Sequence, residues 1–142
     1  MERMSVQKLG KSDGTQNPMP VISAIAGVWS RSVKISHGKS FCLSVMATVS
    51  SGTPDVDLYI EQTPIEPASI TTGEGVVGDQ YNGWAQPVGA SKVADIIAAN
   101  TWYHFTVSPV VLEFLRVKAI GQGANPASTT LDIRLTELSD LV

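Results

Sequence analysis

Phe41-Cys42-Leu43-Ser44-Val45-Met46-Ala47-Thr48-Val49 is the stretch that decides the fold. Its odd positions are Phe, Leu, Val, Ala and Val and its even positions Cys, Ser, Met and Thr, so an extended chain sets an apolar row on one face and a more polar row on the other. The same alternation recurs as far as Thr136 in short runs between Gly, Pro, Asn and Ser turns, with hardly a helical period among them. Ser50-Ser51-Gly52-Thr53-Pro54 makes the first turn; Val56, Leu58 and Ile60 then oppose Asp57, Tyr59 and Glu61. Lys92 to Ala98 and Trp102 to Val107 read as a strand pair around Ala99-Asn100-Thr101. Leu115, Val117 and Ala119 alternate with Arg116 and Lys118, as Leu131, Ile133 and Leu135 do with Asp132, Arg134 and Thr136. These last two runs are expected to pair, with Asp132 reaching Arg116 or Lys118 across the ladder. About seven or eight strands at this spacing predict an all-β chain, an antiparallel β-sandwich or jelly roll.

Upstream, Trp29, Arg31, Val33 and Ile35 share one parity and Ser30, Ser32 and Lys34 the other, which predicts a first core strand ending at His37-Gly38. Val21 to Val28 is apolar on both parities and fits either a doubly covered strand or an arm segment tucked beneath a neighbour. Residues 1 to 20 hold Gly10, Gly14, Asn17-Pro18 and Pro20 among Lys, Ser, Gln and Asp, the composition of an extended N-terminal arm with no core of its own. The expected division is therefore an arm over 1–28 and a sandwich domain over 29–142. Ile65 to Ser91, broken at Glu66-Pro67, at Gly73 to Gly78 and at Gln86-Pro87-Val88-Gly89, reads as one long excursion of the kind that carries function or an interface.

A chain of 142 residues buries roughly two-thirds of the surface its unfolded form would expose, enough to fold without disulfides or a metal. Hydrophobic residues make up 43% and charged residues 16%, an apolar balance that fits a surface partly covered by neighbouring subunits. Cys42 is the sole cysteine, which excludes an internal disulfide and leaves it as a small buried hydrophobe. No run approaches the ~18 apolar residues of a membrane helix, and Met1-Glu2-Arg3-Met4 leads into polar residues without the apolar core of a signal peptide. Synthesis in a cytoplasm without general secretory export, and no membrane partner, are the expectations. Residues 1–40 carry six basic side chains against two acidic ones, and residues 41–142 carry four against eleven. This is either solvated scatter or a basic arm lying on an acidic sandwich, its own or a neighbour's. A net charge of −3 argues against a nucleic-acid partner.

No motif carries chemistry with specificity. Gly73-Glu74-Gly75-Val76-Val77-Gly78 has dinucleotide-loop spacing, but Asp79-Gln80-Tyr81-Asn82-Gly83-Trp84 follows where a helix is needed, so it reads as a surface loop. His37 and His104 are the only imidazoles and no G-x-S-x-G elbow exists, so no catalytic residues, and no enzyme, are expected. His104 shares its strand face with Trp102 and Thr106 and reads as structural or exposed. Two His and one Cys lack zinc spacing. Asp55, Asp57, Glu74 and Asp79 are oxygen donors that could converge on calcium near the long loop, without EF-hand spacing, and neither metal nor cofactor is predicted. Tyr81, Asn82 and Trp84 resemble the aromatic platforms of carbohydrate modules, but read first as loop aromatics folded over the end of the core and next as a subunit contact.

Pro54-Asp55-Val56-Asp57-Leu58-Tyr59-Ile60-Glu61-Gln62, a loop reaching Trp84, Thr101-Trp102-Tyr103, Leu115 to Gly121 and Gly123 to Leu131 together resemble small β-sandwich virion proteins of tailed bacteriophages, over about residues 41–137. Asp55-Val56-Asp57-Leu58-Tyr59 also resembles the D-x-D-L-Y strand of prepeptidase C-terminal jelly rolls. The first resemblance implies a non-catalytic virion structural protein, a capsid decoration or auxiliary protein made in the host cytoplasm. Its expected partners are itself, as a trimer or other symmetric oligomer, and a capsid or tail protein. Candidate interface residues are Arg3, Lys8 and Lys11 in the arm, Tyr81, Asn82 and Trp84 in the long loop, and Asn125. The alternative is a carbohydrate-binding or adhesion module.

Overall fold

Leu43, Val45 and Ala47 are fully buried, as are Val56 and Leu58, Leu115, Val117 and Ala119, and Leu131, with Ile133 and Leu135 almost so. The alternation in these four runs therefore marks the inner faces of four strands that enclose the core. The computed structural model describes residues 2–11, 17–21, 27–35, 40–63, 92–107 and 114–140. They form strands β1 (Glu2–Lys8), β2 (Met19–Pro20), β3 (Val28–Trp29), β4 (Val33–Lys34), β5 (Ser40–Thr48), β6 (Val56–Thr63), β7 (Ala94–Ile96), β8 (Trp102–Val107), β9 (Phe114–Gly121) and β10 (Thr130–Asp140). There is no helix among the described residues.

Two antiparallel five-stranded sheets face each other. The first runs β1-β10-β5-β8 with β2 also on β10, and the second runs β3-β9-β6-β7 with β4 also on β9. Counting β3 and β4 as one interrupted strand and β2 as a continuation of β1, the ten become eight positions. The first pairs the last (β1 with β10), the second the seventh (β3 and β4 with β9), the third the sixth (β5 with β8) and the fourth the fifth (β6 with β7). A ribbon paired in that nested order and rolled up is a jelly roll.

The winding corrects three expectations. First, residues 2–11 and 17–21 are not an arm apart from the core. β1 pairs residue by residue with β10 from Glu2↔Asp140 to Lys8↔Arg134, Leu9 N–H donates to the Ile133 carbonyl at 2.9 Å, and Val21 N–H donates to the Thr129 carbonyl at 2.9 Å. Leu9, Met19 and Val21 are sealed in the core at 0–2% exposure, so three apolar side chains among polar neighbours hold the segment in place. Second, β9 and β10 lie in different sheets, so Asp132 meets neither Arg116 nor Lys118; it pairs with Arg134, and Arg116 pairs with Glu61. Third, β7 and β8 are not a pair: the chain crosses between sheets at Asn100, whose φ of 56° turns it and whose N–H donates to the Ala47 carbonyl at 2.8 Å.

The 29–35 run also departs from strict alternation. Val28↔Ala119 and Trp29↔Lys118 give way to Val33↔Leu115 and Lys34↔Phe114, so one extra residue lies between β3 and β4, a β-bulge. Trp29 consequently stands on the outer face while Val33 and Ile35 enter the core, and Ser30 and Ser32 are buried at the bulge. Ser30 Oγ accepts the Val117 N–H at 2.9 Å, replacing a ladder bond that the bulge displaces.

Candidate functional site

In a strand that lines a core on one side, the other parity forms an outer face. On the first sheet the registers stack those residues into rows across the strands: Val6, Thr136, Cys42 and Thr106; Lys8, Arg134, Ser44 and His104; then Asp132, Met46 and Trp102. An open cleft of about 320 Å³ lies on this face, lined by Val6, Ser44, Trp102, His104, Arg134 and Thr136. Its apolar surfaces stand out of the sheet, with Val6 57% and Trp102 38% exposed.

The polar groups of the cleft are fixed to one another. Trp102 and His104, two residues apart on β8, hold their rings 12° from parallel with centroids 6.4 Å apart. Ser44 Oγ lies 2.7 Å from His104 Nδ1. The Arg134 guanidinium carbon sits 5.4 Å from the Trp102 ring centroid, and its Nε and Nη2 each donate at 3.2 Å to the two oxygens of Asp132. That fork fixes the plane of both groups, and the carboxylate raises the Arg134 pKa further above its ordinary value. A serine touching an imidazole is part of a nucleophilic triad, yet on an open sheet face the backbone N–H groups lie in the ladder plane, where they cannot cradle an oxyanion above it. The arrangement suits recognition better than acyl transfer. Cys42 is half-buried on the same face rather than in the core.

The outer face of the second sheet carries a different knot. Glu61 Oε1 accepts from Trp29 Nε1 at 2.9 Å and from Arg116 Nε at 2.8 Å. Arg116 and Lys118 stand 5.3 Å and 5.4 Å from the Trp29 ring centroid. The Arg116 side chain is only 1% exposed, so this cluster is a packed buried ion pair rather than a presented surface. Nearby, Asp57 and Asp95 oppose each other between β6 and β7, with Lys92 Nζ at 3.5 Å and 2.7 Å from them. Burial raises the Asp57 pKa, whereas the Lys92 hydrogen bond lowers that of Asp95.

Of the residues singled out in the sequence, Arg3 and Lys8 lie on β1, Arg3 opposite Ser139 and Lys8 opposite Arg134. The Lys8 carbonyl accepts from Arg31 Nε at 2.8 Å, tying β1 to the chain near the bulge, and Lys11 is half-buried just beyond. Asn125 spends its amide inside the fold. Its Oδ1 accepts from Asp55 N–H at 2.9 Å and Thr129 Oγ1 at 3.1 Å, and its Nδ2 donates to the Val21 carbonyl at 3.1 Å. A Cβ on Gly121 would come within 2.8 Å of that Nδ2, so glycine is what allows the close approach. Tyr81, Asn82, Trp84, His37, Glu74, Asp79 and the Gly73–Gly78 stretch lie outside the described residues. Among the described residues no group of three or more His, Cys, Asp or Glu side chains is placed to hold a metal.

Strand parity alone put Trp102 and His104 on one face. Ser44 and Arg134 escaped notice because they reach that face only through the β10-β5-β8 registers, and nothing local to either residue marks it. No protein-family model and no curated protein matches the chain.

Proposed function

We propose that the chain is a non-catalytic structural protein of a phage particle, which self-associates and binds a capsid or tail component. The observation that carries this reading is the jelly-roll winding, an architecture used by viral shells and lectins alike, here combined with the resemblance of residues 41–137 to small virion β-sandwiches. The resembling runs coincide with β6, the start of β8, β9 and the turn into β10. The link from fold to function is one of analogy. The mechanism is mechanical: a rigid sandwich spanning neighbouring shell subunits adds interface to each, and the weak contacts of one oligomer add through avidity. The pairing of β1 within the first sheet supports contact through the outer faces and loops rather than through a free N-terminal arm. Light scattering after size exclusion of the full chain tests the reading. A stable trimer or other closed ring is expected, and a monomer at every concentration would overturn it.

A further inference from the structure

We propose that the cleft on the first sheet is a binding site for a neutral saccharide, one or two rings in size. This stands on the cleft alone and does not depend on the particle assignment. A pyranose needs two things of a protein at once: an apolar surface for its C–H face, and fixed polar groups that give and take hydrogen bonds at its rim. The cleft supplies the first in the exposed Trp102 indole and Val6, and the second in Ser44 Oγ, the His104 ring and the Arg134 guanidinium, which Asp132 holds in plane from outside the lining. All but Val6 sit on β5, β8 and β10, whose ladders hold them without a loop to order, so little entropy is lost when a ligand arrives. A cleft of about 320 Å³ lies at the small end of ligand sites, which matches one or two sugar rings.

Charge decides for a neutral sugar over an acidic one. The Arg134 guanidinium is matched by the two-pronged contact with Asp132, so the pair offers hydrogen bonds in a fixed plane with no net attraction for an anion.

The test is titration of the ¹⁵N-labelled full chain with a panel of neutral methyl hexosides, N-acetylhexosaminides and their disaccharides, with glucuronate and a nucleoside alongside. The expected result is that at least one neutral saccharide shifts the amides around Ser44, Trp102, His104 and Arg134. Trp102→Ala should weaken that binding about tenfold or more while its melt stays cooperative, Trp102→Phe should lose less, and Thr106→Ala, on the same face outside the cleft, should bind as the parent does. Any of four results would overturn the proposal: no neutral saccharide bound, binding confined to glucuronate or the nucleoside, binding undiminished in Trp102→Ala, or binding removed by Trp84→Ala alone.

Discussion

Asn125 shows how much one side chain can organise. Its amide joins the turn before β6 at Asp55, the end of the N-terminal segment at Val21 and the turn before β10 at Thr129, three places remote in sequence. Asn125→Ala strands the Asp55 N–H and the Val21 carbonyl together, and a loss of about 2–3 kcal/mol is expected in urea unfolding. Asn125→Asp keeps the acceptor for Asp55 but, when ionised, sets a carboxylate oxygen against the Val21 and Pro126 carbonyls to which Nδ2 donated, so it too should destabilise at neutral pH; a variant as stable as the parent there would contradict this. Asp57 makes the opposite point. Its side chain is 13% exposed and faces Asp95, and burial raises its pKa above the ordinary carboxylate value. A carboxyl whose pKa is raised on folding gives stability at low pH that is lost as the pH climbs through the raised value. Asp57→Asn should therefore melt at or above the parent temperature at neutral pH, with the difference shrinking as the pH falls below the carboxylate range. A variant less stable than the parent at neutral pH would show that the Lys92 contact outweighs burial.

Among elements, legibility followed local periodicity. β5, β6, β9 and β10 each bury one parity, so their inner residues could be read straight from the chain. Whatever depends on distant partners could not. The bulge between β3 and β4 shifts the register by one residue, and period-two reading then puts Trp29 on the same face as Val33 when the two face opposite ways. Residues 1–20 read as an arm because polar and turn-forming residues outnumber apolar ones such as Leu9 and Met19, yet these two, with Val21 just beyond, are buried in the core at the β10 edge. Between Lys8↔Arg134 and Met19↔Leu131 the first strand advances eleven residues against three of β10, so β1 and β2 are one strand position interrupted by an excursion. Composition averaged over that excursion hid the strand. The cleft was half legible for the same reason: Trp102 and His104 are neighbours along β8, whereas Arg134 reaches them across β5.

At the scale of the whole molecule, the nested pairing makes the first and last described strands partners. β1 on β10 is the outermost turn of the roll, so the first described residues are a strand of the first sheet rather than an appendage to it. The same winding places Val6 of β1 in the lining of the cleft, opposite Thr136 of β10. Amide hydrogen exchange of the native full chain tests it most directly, read at Leu9 and Val21, whose N–H groups donate to the Ile133 and Thr129 carbonyls. Both amides should be protected nearly as well as those of the central strands β5 and β10. Exchange of Leu9 and Val21 at the rate of an unfolded chain, with β5 and β10 still protected, would contradict it and restore a loose arm beside a sandwich that closes without it.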